Sequence, residues 1–325
     1  FVSVQLGYTF QYDACVEEHA FQKSVLADKP KNLFSRPIQK LVIEEQTTGT
    51  LKTQGVFHTD GREKPIGRMM QESYLSSRRE KELFEVQESF TQWKVPQKPI
   101  RWSISEQELA DGIYFIMDAG EESVGFLNLD FEVPEDCDVL VGYGEHLEDL
   151  RVRSFIDNRN FCVRYHAKAG RNQFFQPFLR LGMRYLQLHI YNKTGTLYQA
   201  GIRNTYYPLE KKEMEITDPL HRKIYEVGTR TLHMCMHEHY EDCPWREQGL
   251  YTFDSRVQML CGYYAFGEFA FAKASLRLMA LSIRKDGLLE LNSPAKVPVT
   301  IPAFTTIFIR QLKEYMEHSK DVVFI

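Results

Sequence analysis

The pattern of hydrophobic and polar positions changes about two-thirds of the way along the chain. Before Tyr207, short apolar runs alternate with polar residues at a period of two, and Gly, Asp and Lys clusters separate the runs. After Pro208, apolar residues recur at steps of three and four, the spacing of one helix face. We therefore expect β structure first and helices afterwards, in separate domains rather than in alternating βαβ units.

Residues 99–207 carry the most regular strand pattern. Five runs, at 114–117, 125–131, 138–143, 161–165 and 185–190, are rich in β-branched and aromatic residues. Turn residues separate them at a spacing typical of an antiparallel β-sandwich. Polar residues become frequent between about 60 and 100, where Pro96 and Pro99 indicate a boundary. The expected organisation is an N-terminal β domain with a linker at 1–98, a β-sandwich at 99–207 and a helical domain at 208–325.

Four helices are predicted in the last part of the chain. The first follows Asp218, a good N-cap, and has Pro219 at its first position. Its buried face is expected to include Leu220, Ile224 and Val227. The others are expected near 255–267, 269–284 and 303–318. Four helices alone would leave apolar faces exposed, so we expect the natural protein to continue beyond residue 325.

Composition and charge exclude some classes of partner. The formal net charge is −4 and no long basic run is present, so we expect no nucleic-acid partner. The sequence contains no run of 18 apolar residues, so no membrane span is predicted.

The six cysteines form no CxxC pair and are expected to be mostly buried thiols. No signal peptide is visible, and these patterns leave the compartment open. The oligomeric state is not predicted.

The segment 237–249 concentrates more candidate chemistry than any other. It contains four carboxylates, two histidines, an arginine and a tryptophan. If a helix begins near Pro244, then Glu247 and Asp254 lie two turns apart on one face. One carboxyl kept protonated by its neighbours, with others binding sugar hydroxyls, would suit glycosidic chemistry. A solvated helix start with surface ion pairs fits the composition at least as well, but Trp245 and Cys243 are unusual in such a turn.

Metal and nucleophile chemistry find less support in this segment. His233, His237 and His239 are close in sequence but form no HExxH pattern, so we expect hydrogen-bonded or surface histidines. Cys243 precedes a proline and has no evident partner base, which favours a buried structural thiol. No metal ligand set and no cofactor are predicted.

The string from Asp242 to Glu247, Asp-Cys-Pro-Trp-Arg-Glu, resembles the Asp-Cys-Pro-x-Arg-Glu signature of the family 78 glycoside hydrolases, the α-L-rhamnosidases. In that family the signature stands between the first two helices of an (α/α)6 barrel. Residues 118–126, 143–147, 174–178 and 182–185 are similar to the β-sandwich that precedes this barrel. The resemblance covers roughly 100–325 and implies that the last helices are the start of such a barrel.

The resemblance also implies roles for five residues. Glu247 would be the general acid that protonates the leaving oxygen, in a mechanism that inverts configuration. Asp242 and Asp254 would bind hydroxyls of the sugar, Arg246 would lie beside the acid, and Trp245 would contribute to substrate binding. The implied substrate is a rhamnose-containing oligosaccharide or glycoside, with no organic cofactor.

The chain departs from the family in two ways. Leu250 and Tyr251 follow Gly249 where the family usually has Gly-Trp, which puts the exact sugar in doubt. The family's catalytic base lies later in the barrel, so we expect it beyond residue 325, and Glu290 matches no known base. Two alternatives stay open: a helical-barrel glycosidase for another deoxy or uronic sugar, and a non-catalytic carbohydrate-binding fragment.

Overall fold

The computed structural model describes residues 1–16, 24, 34–77, 99–294, 297 and 299–324. In these residues a β-rich part is followed by helices. The strands are β1 Gln11–Asp13, β2 Val42–Thr48, β3 Thr50–His58, β4 Tyr74–Ser77, β5 Ile100–Ser103, β6 Gly112–Val133, β7 Cys137–Gly144, β8 Leu147–Glu148, β9 Arg151–Val152, β10 Phe155–Ile156, β11 Arg159–Asn160, β12 Cys162–Ala167, β13 Gly170–Ile190, β14 Thr194–Tyr206, β15 Leu250–Tyr251 and β16 Asn292–Ser293. The helices are α1 Ile66–Glu72, α2 Pro219–Met234, α3 Thr252–Ala265, α4 Ala270–Ala280 and α5 Pro302–Ser319.

Ten of the strands form one sheet. Its main order is β1-β12-β7-β13-β6-β14-β2, while β3 pairs with β6 and β4, and β5 pairs with β14. All of these pairs are antiparallel except β1 with β12. The short strand β1 therefore lies at the edge of the sheet as its one parallel member among the described strands.

The two longest strands, β6 and β13, run side by side and curl the sheet. They have 22 and 21 residues. The first half of β6 also pairs with β3 and the second half with β14. The pairing shifts register between Phe175 and Arg180 and again between Met183 and Tyr185, and such irregularities bend a strand locally. Apolar side chains from both halves of β6 consequently pack in one hydrophobic core.

This single curled sheet differs from the predicted β-sandwich of separate strands. The runs 114–117 and 125–131, predicted as two strands, are the two halves of β6. Gly120 and Glu121 lie exposed between them, where the strand reaches the surface. A polar interruption looks the same in sequence whether the chain turns back or continues across a bend.

Strands from the first 98 residues belong to the same sheet. β2 pairs with β14, β3 with β6 and β1 with β12. The boundary predicted at 98/99 stays a prediction, although hydrogen-bonded strands lie on both sides of it. The predicted linker falls mainly on residues 78–98, outside the described residues.

The predicted helices after residue 208 are present as α2 to α5. The carboxylate of Asp218 accepts a hydrogen bond from the backbone N–H of His221 at 2.8 Å and caps α2, with Pro219 at the first position. The helices share a core with Tyr207, Tyr240 and Phe271. In the described part of the chain, no helix has both the length and the apolar character needed to cross a membrane.

One expectation for α2 is wrong. Leu220, Ile224 and Val227, predicted as its buried face, are 66%, 60% and 50% exposed. The helix instead buries Thr229 and Leu232 near its C-terminal end. Periodicity identifies an apolar face, but only the arrangement of neighbours determines whether that face is covered.

The loop between α2 and α3 lies directly on strand β13. A Cβ atom added to Gly182 would lie 2.0 Å from the carbonyl oxygen of Pro244. Only a residue without a side chain permits this approach, because no carbon atom tolerates such a contact. Gly182 therefore sets how closely the loop and the sheet pack.

The variant Gly182→Ala is expected to lower the free energy of unfolding by about 1–3 kcal/mol, because the loop must move away from β13. Gly228→Ala in α2 is the matched control. Its new Cβ would meet no atom within 4 Å, and alanine favours helix by roughly 0.5–1 kcal/mol. Urea unfolding followed by circular dichroism measures both, and equal effects of the two changes would contradict the close packing.

Candidate active site

The loop that follows α2 is closed on itself by two hydrogen bonds. The backbone N–H of Asp242 donates to the carbonyl of Gly249 at 2.9 Å, and the N–H of Gly249 donates to the Asp242 carboxylate at 2.8 Å. Gln248 has a φ of 50° and its side-chain amide donates to the carbonyl of Pro244 at 2.8 Å. These contacts hold the segment 242–249 as a compact turn.

The condition for a shared helix face, a helix that begins near Pro244, is therefore not met. Residues 244–247 form turns, and α3 begins only at Thr252. Glu247 and Asp254 lie on different elements and do not share one helix face. A cysteine-proline pair before charged residues suits a helix start, but the hydrogen bonds between Asp242 and Gly249 favour the closed loop.

Trp245 anchors the loop in the core of the sheet. Its side chain is 3% exposed, and its ring lies 4.7 Å from that of Phe161 between centroids. The ring of His146 stands edge-on to it at 6.2 Å. A side chain buried in this way has no open face for a sugar. Trp245 is thus buried against the sheet in this structure, and its predicted part in substrate binding stays a prediction.

A buried ion cluster gives the loop a second attachment to the sheet. The carboxylate of Glu241 is fully buried and lies 2.5 Å from the guanidinium of Arg180 on β13 and 3.2 Å from Nδ1 of His237. Burial would raise the pKa of Glu241, but Arg180 and His237 outweigh it and lower that pKa to about 2. Glu241 is therefore a carboxylate at neutral pH and joins the helical part to the sheet.

Glu247 lies half-buried at the edge of the loop and is held on both carboxylate oxygens. Oε1 accepts a hydrogen bond from Nη2 of Arg159 at 3.2 Å, and Oε2 accepts one from the hydroxyl of Tyr251 at 2.6 Å. The side-chain amide of Gln5 in turn donates to the Tyr251 hydroxyl oxygen. Arg159 comes from β11 and Tyr251 from β15. Three distant segments of the chain thus orient one carboxyl group.

Asp242 and Asp254 interact electrostatically with Glu247. Burial raises the pKa of Asp242, and the negative charge of Glu247 adds to this. Partial desolvation by neighbouring groups also raises the pKa of Asp254, again with a contribution from Glu247. Asp254 lies in the first turn of α3 with its side chain exposed. The structure therefore brings all three predicted carboxylates into one polar cluster beside the loop.

Arg246, predicted beside the acid, is exposed and faces a different carboxylate. Its charge acts on Glu145, whose pKa burial raises. Glu145 in turn lies near Glu122, whose pKa is raised to about 8 by burial and by the Glu145 charge. The guanidinium that contacts Glu247 belongs to Arg159 instead.

Sequence reasoning missed Arg159, Gln5 and Glu241 as parts of the site. Arg159 and Gln5 are separated from their partners by 88 and 246 residues, so no local pattern indicates them. Glu241 was counted among the carboxylates of the segment, but its burial depends on the position of Arg180. Tyr251 was noted only as a departure from the family.

Comparison with known proteins finds similarity to glycosidases with a helical-hairpin domain. Residues 210–321 match the family described as the bacterial alpha-L-rhamnosidase 6 hairpin glycosidase domain. No curated protein sequence matches the chain significantly. Together with the structural similarities below, the match confirms the resemblance of the chain to the bacterial α-L-rhamnosidases of glycoside hydrolase family 78.

Two solved structures illustrate the similarity. A family 78 rhamnosidase of Bacillus sp. GL1 is 26% identical, with a TM-score of 0.64 over 71% of this chain and 24% of its own. A rhamnosidase from Klebsiella oxytoca, solved with rhamnose bound, is 17% identical, with a TM-score of 0.63 over 89% of this chain and 54% of its own. The chain thus spans about a quarter to a half of the length of these relatives.

The variant Glu241→Gln is expected to lose about 3–5 kcal/mol of unfolding free energy at neutral pH, because it leaves the Arg180 charge buried without its counter-ion. The measurement is chemical unfolding at a series of pH values. The control is Glu238→Gln, whose exposed ion pair with Arg36 contributes at most about 1 kcal/mol.

The contribution of Glu241 to the unfolding free energy should also change with pH in one defined direction. The unfolded Glu241 binds a proton near its ordinary pKa of 4.5, whereas the folded group does so only near 2. The stabilisation by this carboxylate is therefore present above pH 4.5 and is lost as the pH falls towards 2. Glu241→Gln should flatten the unfolding free energy across this interval, and an unchanged slope would contradict the assignment.

Proposed function

We propose that this protein belongs to an inverting glycoside hydrolase that removes terminal α-L-rhamnosyl residues, with Glu247 as the general acid. The observation that carries the proposal is the placement of Glu247: a partly exposed carboxyl, held on both oxygens, beside two further carboxylates. General acid catalysis needs a carboxyl that is both oriented and accessible to the leaving oxygen.

The neighbouring groups have complementary roles in this proposal. Asp242 and Asp254 accept hydrogen bonds from sugar hydroxyls, and the pKa of each is raised by partial desolvation and by the nearby Glu247. Arg159 and Tyr251 hold the acid in one rotamer. A positioned acid protonates the departing oxygen as the glycosidic bond breaks, while water attacks from the opposite face of the ring.

The substrate assignment rests on the relatives. The family matched by residues 210–321 is named for α-L-rhamnosidases, and the Klebsiella oxytoca enzyme that shares the fold was solved with rhamnose bound. We infer that a rhamnose-containing oligosaccharide or glycoside is the substrate. Neither an organic cofactor nor a metal ion enters the proposed chemistry.

We also propose that α2 to α5 are the first helices of an (α/α)6 barrel. The exposed apolar residues Leu220, Ile224 and Val227 on α2 support this, because further helices of a barrel would cover such a face. Ile309 on α5 is likewise 65% exposed. The family match over 210–321 is consistent with the same arrangement.

Tyr251 supports one alternative within the same class. It stands where the family usually has tryptophan, and its hydroxyl contacts the proposed acid. A smaller, polar ring at this place would favour a different deoxy or uronic sugar. A panel of aryl glycosides decides between rhamnose and such a sugar. Hydrolysis of glucuronides but not of rhamnosides would show that the substrate is a uronic sugar and not rhamnose.

Glu247→Gln is expected to lower kcat by about 10²–10⁴-fold on an aryl α-L-rhamnoside with a poor leaving group, because the leaving oxygen is no longer protonated. On a dinitrophenyl rhamnoside the loss should be much smaller, since that leaving group departs without a proton. Equal losses on both substrates, or undiminished turnover on the first, would contradict the acid role. Glu238→Gln, at an exposed ion pair of the same segment, is the control.

Tyr251→Phe is expected to lower kcat about tenfold, the equivalent of one hydrogen bond, while KM stays nearly constant. The reason is that Glu247 loses the partner that orients one of its oxygens. Tyr264→Phe, which removes a hydroxyl from an exposed tyrosine of α3, is the control. Steady-state kinetics and thermal unfolding together separate this effect from a loss of stability, and a changed KM with constant kcat would contradict it.

A further inference from the structure

The edge strand β1 carries a group of side chains that the proposed glycosidase chemistry does not use. In the sheet, Asp13 of β1 pairs with His166 of β12, and His166 pairs with Asp138 of β7. These three residues therefore form one row across three neighbouring strands. Tyr12, the adjacent residue on β1, faces the other way and stacks on Tyr165 at 5.5 Å. The polar row consequently lies on the face of the sheet opposite to these aromatic rings.

Cys15 extends this row towards a metal-ligand group. Its backbone N–H donates to Oδ1 of Asp13 at 2.9 Å, a turn that places the thiol beside the carboxylate. One donor atom from each of Asp13, Cys15 and His166 lies within 4.8 Å of the other two. Ligand atoms of a tetrahedral zinc ion, at ~2.0–2.3 Å from the metal, lie about 3.3–3.8 Å from one another, so side-chain rotations would bring these atoms to the ion. From this geometry we propose that Asp13, Cys15 and His166 bind one zinc-type divalent cation.

The ring of His166 has the orientation that is typical of metal-binding histidines. Its Nδ1 lies 2.8 Å from Oδ1 of Asp138, and this contact leaves Nε2 as the nitrogen for the ion. A carboxylate on the second ring nitrogen fixes the tautomer and the direction of the ring in known zinc sites. Asp138 is therefore the outer partner of the site rather than a ligand.

The local charge and donor types select the ion. Three carboxylates, those of Asp13, Asp136 and Asp138, lie around the thiol and the imidazole, while Lys168 and Arg164 supply the opposing positive charges. A sulfur, a nitrogen and a carboxylate oxygen are the donor set of zinc, whereas calcium and magnesium prefer oxygen alone. The thiol donates to the carbonyl oxygen of Ala167 at 3.7 Å, and the nearby Asp136 carboxylate or a water completes the fourth position. Cys15 binds as a thiolate and releases its proton to solvent.

The ion would fasten an otherwise weakly held strand. β1 has three residues, all exposed, and is the parallel strand at the edge of the sheet. Short edge strands are marginal on backbone hydrogen bonds alone. A metal bridge between β1 and β12 joins residues more than 150 positions apart and opposes their separation. This inference does not depend on the proposed glycosidase activity.

Cobalt binding to the chelator-treated protein tests the site. One Co²⁺ per chain is expected, with a near-ultraviolet thiolate-to-cobalt charge-transfer band that zinc abolishes and calcium leaves unchanged. Cys15→Ser should remove the band and His166→Gln should weaken binding at least tenfold. Cys261→Ser, at an exposed cysteine of α3, is the matched control and should keep the charge-transfer band and the affinity for cobalt.

Thermal unfolding gives a second readout. Zinc should raise the Tm of the wild-type protein and of Cys261→Ser, and should leave the Tm of Cys15→Ser unchanged. The proposal is overturned if no charge-transfer band forms, if the band persists in Cys15→Ser, or if calcium displaces cobalt as well as zinc does.

Discussion

The buried ion cluster of Arg180, Glu241 and His237 is the interaction on which the position of the candidate site depends. Arg180 belongs to the longest pair of strands, and the two other residues follow the first long helix of the C-terminal part. Charges removed from water are stable only when their partners stay in place. The helical part therefore cannot shift along the sheet without separating these charges, and the signature loop keeps one position above β13.

Packing strengthens the same constraint. Trp245 enters the core of the sheet next to Phe161, and Gly182 lets the backbone of Pro244 approach β13 closely. The buried ring of Trp245 and the contact at Gly182 fix the distance between the loop and the sheet. The ion cluster fixes the orientation of the loop on the sheet. Both act on the loop that carries Glu247. Within the signature, the buried Trp245 thus lies between Asp242 and Glu247, which belong to the polar cluster.

The N-terminal segment connects the two sites discussed above. Gln5 reaches Tyr251, which holds Glu247. A few residues later the same segment forms β1 and presents Asp13 and Cys15 beside His166. Aromatic contacts between Phe10, Tyr12 and Phe174 hold the segment on the sheet between these points. A bridge at β1 would therefore limit the motion of a segment that also contributes to the orientation of the proposed acid.

The sequence by itself determined the change from strands to helices and the start of α2 at Asp218 and Pro219. These features depend on caps and periodicities within one or two turns of the chain, so neighbouring residues encode them. Only the tertiary structure decided that two predicted strands are one bent β6, that the 244–247 segment is a turn and that Trp245 is buried. Arg159 and Gln5 could not be predicted as partners of the site, because contacts over 88 and 246 residues arise from the curl of the sheet.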